Sequence, residues 1–504
     1  MTTTTLLGID IGTTHCKVGL FDLFGNSLKI ASRKTKTHYH TNGNAYYNPE
    51  EILEIVLLNI KDVIKENSKI IAAIGITSMA ETGLLIDTKT GLPKTEMIPW
   101  FDKRAMEEAK RIAKEADQFE RFTKTGIHNS YKYGLSKLLW LKKQDSSITN
   151  NAIWLSASDF IAYKLTGQFG TDYSLAARTY GFRIDKKMWD VPWLNNFGLD
   201  EKNFPLAQPS GTPIGELNNE EYIASGLPKG IPVAISGHDH ICAALAVGAI
   251  NPGVILDSIG TAETLVGTLN VQKLGEKEYK SGLSYGCHVV KNRYFWMGGL
   301  PASGGSVEWI RSQLSEVTLT YEELQELLNE TTQNPTGILF YPYLSGSGAP
   351  NLNPYAKAAF IGLERKHERK DLLKAILEGT AYHLESIRKA AESIIKSDIT
   401  KVVAVGGGTK NNHWMQIKSN VSGCSYSIPA VTESSLLGGA IAAGIGAGIY
   451  KNEQEATDLI NRQNQTEIKP NKKCHIAYQS LYKNGYLRME KPLRMYYQNL
   501  LGDE

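Results

Sequence analysis

Residues 6–22 read LLGIDIGTTHCKVGLFD, and residues 253–270 read GVILDSIGTAETLVGTLN. Each is a short apolar run, an Ile-Gly-Thr turn and a second apolar run, the pattern of a two-stranded hairpin. The turns, at Ile11–Thr13 and Ile259–Thr261, lie half the chain apart. Around the first, DLFGN (22–26) predicts a turn, SLKIASRKTKT (27–37) a third strand, and IIAAIGITSM (70–79) a buried strand. Between them a helix is predicted to open at Asn48 as cap with Pro49 in its first turn, ending near Glu66. Three strands, a helix and a strand predict an α/β domain with a mixed sheet. The second hairpin is followed by predicted helices at Tyr321–Asn329 and Arg369–Ile395, then by the buried strand KVVAVGGG (401–408). A duplicated fold explains the echo, with domains at 1–252 and 253–504 meeting at GAINPG (248–253).

The bulk properties exclude several classes. The chain has 504 residues, enough for about three ordinary domains or two large ones. Hydrophobic residues at 42% and charged residues at 21% suit a globular protein. A net charge of +3 with dispersed basic residues argues against a nucleic-acid arm. The five cysteines are far apart without a CxxC pair, so neither a zinc site nor a disulfide framework is expected. A reducing, cytoplasmic location follows. The start MTTTTLLGID lacks the basic region of a signal peptide. The uncharged stretch SSLLGGAIAAGIGAGIY (434–450) is rich in glycine and alanine, which predicts a buried helix packed on a sheet rather than a membrane span.

Three glycine turns at strand ends could carry chemistry. Gly12, Thr13 and Thr14 would present backbone N–H groups and hydroxyls in one concavity suited to phosphate, with a plain hairpin as the alternative. Asp10 beside them suits Mg2+, and Lys17 on the returning strand adds positive charge. Gly260-Thr261 repeats the turn, and Gly406–Gly408 ends a strand where backbone can approach a nucleotide. Neither GxxxxGK[ST] nor GxGxxG occurs. A GxSxG match at 282–286 lacks the strand–helix context of a nucleophile elbow and is expected to be chance. The best catalytic candidate is Asp239 in ISGHDH (235–240), delivered by an apolar strand to a helix start. A helix cap, or a metal site with His238 and His240, is the alternative.

Taken in order, these stretches resemble the FGGY carbohydrate kinases over nearly the whole chain. GIDIGTTHCKVGLFD resembles the family's first phosphate motif, ITSMAETGLLID and IPWFDKRA its sugar-side segments, and TGIHNSYKYGLSKLLWL and YKLTGQFGTDYS two further stretches. ISGHDH resembles the catalytic segment, DSIGTAE the second phosphate motif and AVGGGTKNNHWMQIKSNVSG the adenosine motif. The resemblance implies two RNase H-like, actin-like domains with ATP and a sugar in the cleft between them. It implies Asp239 as the base, Asp10 as the Mg2+ ligand, and Gly12, Thr13, Thr14, Lys17, Gly260, Thr261 and Gly304 around the phosphates. Gly407, Gly408 and Asn412 would meet the adenosine. Glu81, Trp100 and Tyr131 would line the acceptor site, the competing reading being that Glu81 pairs with Arg104 or Lys103.

The sequence departs from the family pattern in two places: Ser78-Met79-Ala80-Glu81 on the sugar side, and Gly346-Ser-Gly348 after Pro342-Tyr343-Leu344. The expected acceptor is a ketose, most simply a pentulose. A polyol or sugar acid is the second reading, and an actin- or chaperone-like ATP-binding protein the non-enzyme alternative. The expected partners are thus sugar and ATP, with no nucleic acid or membrane and with homodimer formation left open.

Overall fold

The computed structural model describes residues 4–65, 70–220, 226–460 and 465–501. Strand β1 (Thr4–Ile11) pairs antiparallel with β2 (His15–Asp22), which pairs antiparallel with β3 (Ser27–Lys34). Helix α1 (Pro49–Ile64) then crosses to β4 (Ile70–Ser78), parallel to β1. The Asn48 side chain caps α1, accepting from the N–H groups of Glu50 and Glu51 at 2.9 and 3.4 Å, as the Asn-Pro start predicts. The predicted end at Glu66 lies outside the described residues. Strand β5 (Pro213–Glu216) and β6 (Pro232–His238) complete a sheet ordered β5-β6-β4-β1-β2-β3, with β6 parallel to β4 and antiparallel to β5.

The second half repeats this layout. Strands β7 (Val254–Ile259), β8 (Glu263–Asn270), β9 (Ser284–Cys287) and β10 (Arg293–Leu300) are followed by β11 (Lys401–Val405), β12 (Ser425–Pro429) and β13 (Gln465–Ile468). Their order is β9-β10-β8-β7-β11-β12-β13. In each sheet an antiparallel meander (β3-β2-β1 or β10-β8-β7) continues into two parallel strands (β4-β6 or β11-β12) and an antiparallel edge strand. The echo between the two hairpins is therefore a repeat of topology. Ser284 of the GxSxG match sits on β9 at the sheet edge, in no nucleophile elbow.

Two helices cross the division of the halves. Helix α2 (Asp239–Ala246) follows β6, and α5 (Ser434–Gly446) comes from the second half yet packs on the first sheet. Its small residues make this possible. A Cβ on Gly8 would lie 2.4 Å from the Leu436 carbonyl oxygen, one on Gly75 2.0 Å from that of Gly439, and one on Gly438 1.8 Å from that of Cys242. Ser236 Oγ donates to the Gly439 carbonyl at 2.7 Å, fixing the helix over β4 and β6. The Gly/Ala-rich stretch is thus a buried helix on a sheet. No helix among the described residues is long and apolar enough to cross a membrane.

The contact is tight enough to test. Gly75→Ala should lower the unfolding free energy by about 1–3 kcal/mol, the usual cost of overpacking a rigid interior. Urea unfolding reads it directly, and an unchanged midpoint would mean that α5 does not rest on β4.

Candidate active site

At the first turn, the N–H of Gly12 donates to the His15 carbonyl at 3.1 Å and closes the hairpin. Thr14 is exposed at its tip. Thr13 Oγ1 accepts from the Trp100 indole N–H at 3.0 Å and lies 3.5 Å from Met79 Sδ. Trp100, expected as an apolar wall of the acceptor site, therefore also ties its own loop to the Gly12–Thr14 turn. Asp10 closes β1 beside this turn, and its Oδ1 is buried without a hydrogen-bond partner. Burial, followed by the negative charge of Asp239, pushes the Asp10 carboxyl up to about 8, with Lys17 acting in the opposite direction. Lys17 pairs with Glu433 Oε2 at 2.6 Å, so a carboxylate from the second half holds the cation expected at the phosphates.

Asp239 is positioned by its neighbours in sequence. Gly237 has φ +113°, and a Cβ there would lie 2.5 Å from Ser174 Oγ, so this position requires glycine. The same Ser174 hydroxyl accepts the His238 N–H at 2.9 Å, anchoring the strand end. Asp239 then opens α2. Its Oδ1 accepts from the His240 N–H at 2.6 Å and lies 3.2 Å from His238 Nε2. The side chain keeps 22% of its surface exposed. Burial raises its pKa, His240 opposes the rise, and Glu81 adds to it. His238 is held well below its ordinary value by burial and is neutral near pH 7.

Glu81 stands just past β4 with φ +60°, a left-handed conformation that a non-glycine residue rarely adopts and that concentrates at functional sites. Its carboxylate takes two hydrogen bonds from Arg178, from Nε at 2.6 Å and from Nη2. Its carbonyl accepts from the buried Lys137 ammonium at 2.6 Å, which also binds the carbonyls of Ile98 and Pro99. The partner read from sequence is therefore wrong. Arg104 is held by Asp102 at 2.7 Å and by the Ala45 carbonyl, and Arg178 pairs with Glu81 instead. Arg178 lies four residues beyond the quoted stretch YKLTGQFGTDYS, so only its distance in sequence from Glu81 concealed it. Its Nη1 is buried without a partner, and its guanidinium lies 5.3 Å over the Tyr133 ring. Lys132 places its ammonium 5.2 Å over the Trp100 ring, and Tyr131 beside it is half-buried.

In the second half three glycine segments meet, at Gly260-Thr261, Gly304-Gly305 and Gly406–Gly408. The N–H groups of Gly304 and Gly305, at the start of helix α3 (Gly304–Gln313), donate to the carbonyls of Gly260 and Thr261 at 3.2 and 3.0 Å. A Cβ on Gly304 would lie 2.4 Å from the Gly260 carbonyl oxygen, and one on Gly406 2.4 Å from that of Ile259. Gly260, Thr261 and Gly407 are exposed, and a Cβ on Gly407 would meet nothing within 4 Å, leaving that backbone open to a ligand. Helix α4 (Asn412–Ser422) follows, with Asn411 as its cap and Asn412 exposed in its first turn.

Among the described residues no three His, Cys, Asp or Glu side chains gather closely enough to form a metal site, so His238, Asp239 and His240 are not one. Magnesium needs less, because it takes one or two carboxylates with waters and phosphate oxygens. The buried, unpartnered Asp10 oxygen fits that requirement.

Comparison with known proteins assigns the chain. Residues 5–246 match the N-terminal domain of the FGGY family of carbohydrate kinases, and residues 258–447 match its C-terminal domain. The chain belongs to this family. It is a carbohydrate kinase, a phosphotransferase that acts on sugar hydroxyls, and its two halves are the actin-like domains of that fold. It is 27% identical over 485 residues to a xylulose kinase of Staphylococcus epidermidis, covering 95% of each chain. It is 28% identical over 463 residues to a glycerol kinase of Saccharolobus islandicus, covering 90% of each. Among solved structures, gluconate kinase from Lactobacillus acidophilus superposes with a TM-score of 0.90 at 22% identity, over 99% of this chain and all of that one. Three different acceptors are named at similar distance.

Proposed function

We propose that this FGGY kinase transfers the γ-phosphoryl group of ATP to a hydroxyl of a small ketose, a pentulose being the simplest case. The observation that carries this reading is the placement of Asp239. It opens α2 partly exposed, close enough to Asp10 and to Glu81 for their charges to act on one another. Asp239 takes the proton of the acceptor hydroxyl as that oxygen bonds to the γ-phosphorus and the bond to ADP breaks. Phosphoryl transfer asks the protein mainly for positioning and charge stabilisation. Gly12, Thr13, Thr14, Lys17, Gly260, Thr261 and Gly304 surround the phosphates, and Gly407, Gly408 and Asn412 meet the adenosine. Asp10 would hold Mg2+, which neutralises phosphate charge when bound. Glu81, Trp100 and Tyr131 face the acceptor, Glu81 accepting hydrogen bonds from its hydroxyls.

A sugar acid is a second reading, and one observation favours it. The Lys132 ammonium lies over the Trp100 ring, and burial lowers its pKa while the nearby Glu81 carboxylate opposes that shift. Lys132 and Arg178 together set two positive charges against the one carboxylate of Glu81, an excess that suits an acidic acceptor. Specificity constants across a panel of ketopentoses, ketohexoses, polyols and aldonates separate the readings. The proposal expects a ketopentose to lead by at least tenfold, and an aldonate in the lead would replace it with the second reading.

A further inference from the structure

A buried ionic cluster lies directly beneath the three glycine segments. Lys418 on α4 sends its ammonium to Asp257 Oδ2 at 3.1 Å and to Glu263 Oε1. All three side chains are fully buried. Asp257 is on β7 and Glu263 opens β8, so they flank the Gly260-Thr261 turn on both sides. Ser303, immediately before Gly304, donates to Glu263 Oε2. One ammonium thus links the strand before the turn, the strand after it and the helix that follows Gly406–Gly408, and through Ser303 it reaches the start of α3. These are the elements whose backbones also meet above, at Gly260–Gly304 and Ile259–Gly406.

A buried charge costs several kcal/mol to desolvate, so two carboxylates and one ammonium are weak evidence for stability alone. Apolar side chains of similar volume would hold a plain core at least as well. The cluster does what apolar packing does not, in that directional, charge-assisted bonds fix separate segments at set distances. We propose that Lys418 is a positioning residue for the nucleotide, holding the Gly260, Gly304 and Gly406–Gly408 segments in the one arrangement that receives phosphates and adenosine together. The inference rests on the nucleotide reading given above.

The test measures Mg2+-ADP affinity by calorimetry, KM for ATP and for the acceptor, and melting temperature in the full chain. Lys418→Met leaves two carboxylates facing each other, so a second variant, Lys418→Met with Asp257→Asn and Glu263→Gln, removes all three charges while nearly keeping the volume. The expected result is that both variants weaken Mg2+-ADP binding and raise KM for ATP at least tenfold, with KM for the acceptor within twofold. The triple variant should regain the melting temperature without regaining nucleotide affinity. Recovery of both together, or a KM for ATP within twofold of wild type in the folded triple variant, would reduce the cluster to a structural role and overturn the proposal. Failure of the wild-type chain to bind Mg2+-ADP would instead remove the nucleotide reading itself, and the proposal with it.

Discussion

Asp239→Asn should abolish most acceptor-dependent ADP release while leaving Mg2+-ADP affinity within a few-fold of wild type. The amide keeps the size of the carboxylate and can still accept from the His240 N–H, so the start of α2 is preserved. It cannot take a proton from a hydroxyl. General-base assistance of this kind is worth roughly 10²–10⁴-fold in rate, and the loss should fall on kcat rather than on either KM. Removing one of two facing carboxylates also relieves Asp10, so the variant should melt no lower than wild type. Steady-state kinetics with calorimetry checks both parts. Retained activity would take Asp239 out of the reaction, and joint loss of activity and nucleotide binding would make it a structural cap.

Glu81→Ala should cost both acceptor use and stability. Removing one member of a buried pair leaves the Arg178 guanidinium uncompensated, and such losses amount to about 3–5 kcal/mol. The two side chains are only 10% and 7% exposed, so solvent does little to screen them. A melting curve should therefore drop markedly. Glu81→Gln separates the roles, since its amide still accepts a hydrogen bond from Arg178. In that variant the melting temperature should recover most of its loss. The specificity constant for the acceptor should remain at least tenfold down, in line with about 1–3 kcal/mol for a strong hydrogen bond to a charged group. KM for ATP should not move. Equal recovery of stability and acceptor use in Glu81→Gln would show that the residue serves only to seat Arg178.

The fold was legible where local pattern decides structure. The two Ile-Gly-Thr hairpins announced the duplication because a strand, a tight glycine turn and a returning strand are specified within about twenty residues. Asn48-Pro49 marked the start of α1 through capping chemistry that is local by nature. The seating of α5 was legible only in part. Its composition predicted close packing on a sheet, yet which sheet depended on Gly8 and Gly75, more than 350 residues away in sequence. The site divides in the same way. The turns around Gly12, Gly260 and Gly407 and the strand-to-helix step at Asp239 are local signals. Ion pairs are not: Glu81 with Arg178, Lys17 with Glu433, and Lys418 with Asp257 and Glu263 all join residues that only the folded sheets bring together. Nearby charge therefore named the wrong partner for Glu81, because Arg104 is nearer in sequence but already bound to Asp102.

Phosphorus NMR of the chain with Mg2+-ATP and a ketopentose follows transfer of the phosphoryl group to the sugar hydroxyl as it happens. A phosphate-monoester signal should grow at the same rate as the β-phosphate signal of ADP, dependent on acceptor and lost in Asp239→Asn. Inorganic phosphate as the sole product, formed at the same rate with or without every acceptor tried, would contradict it.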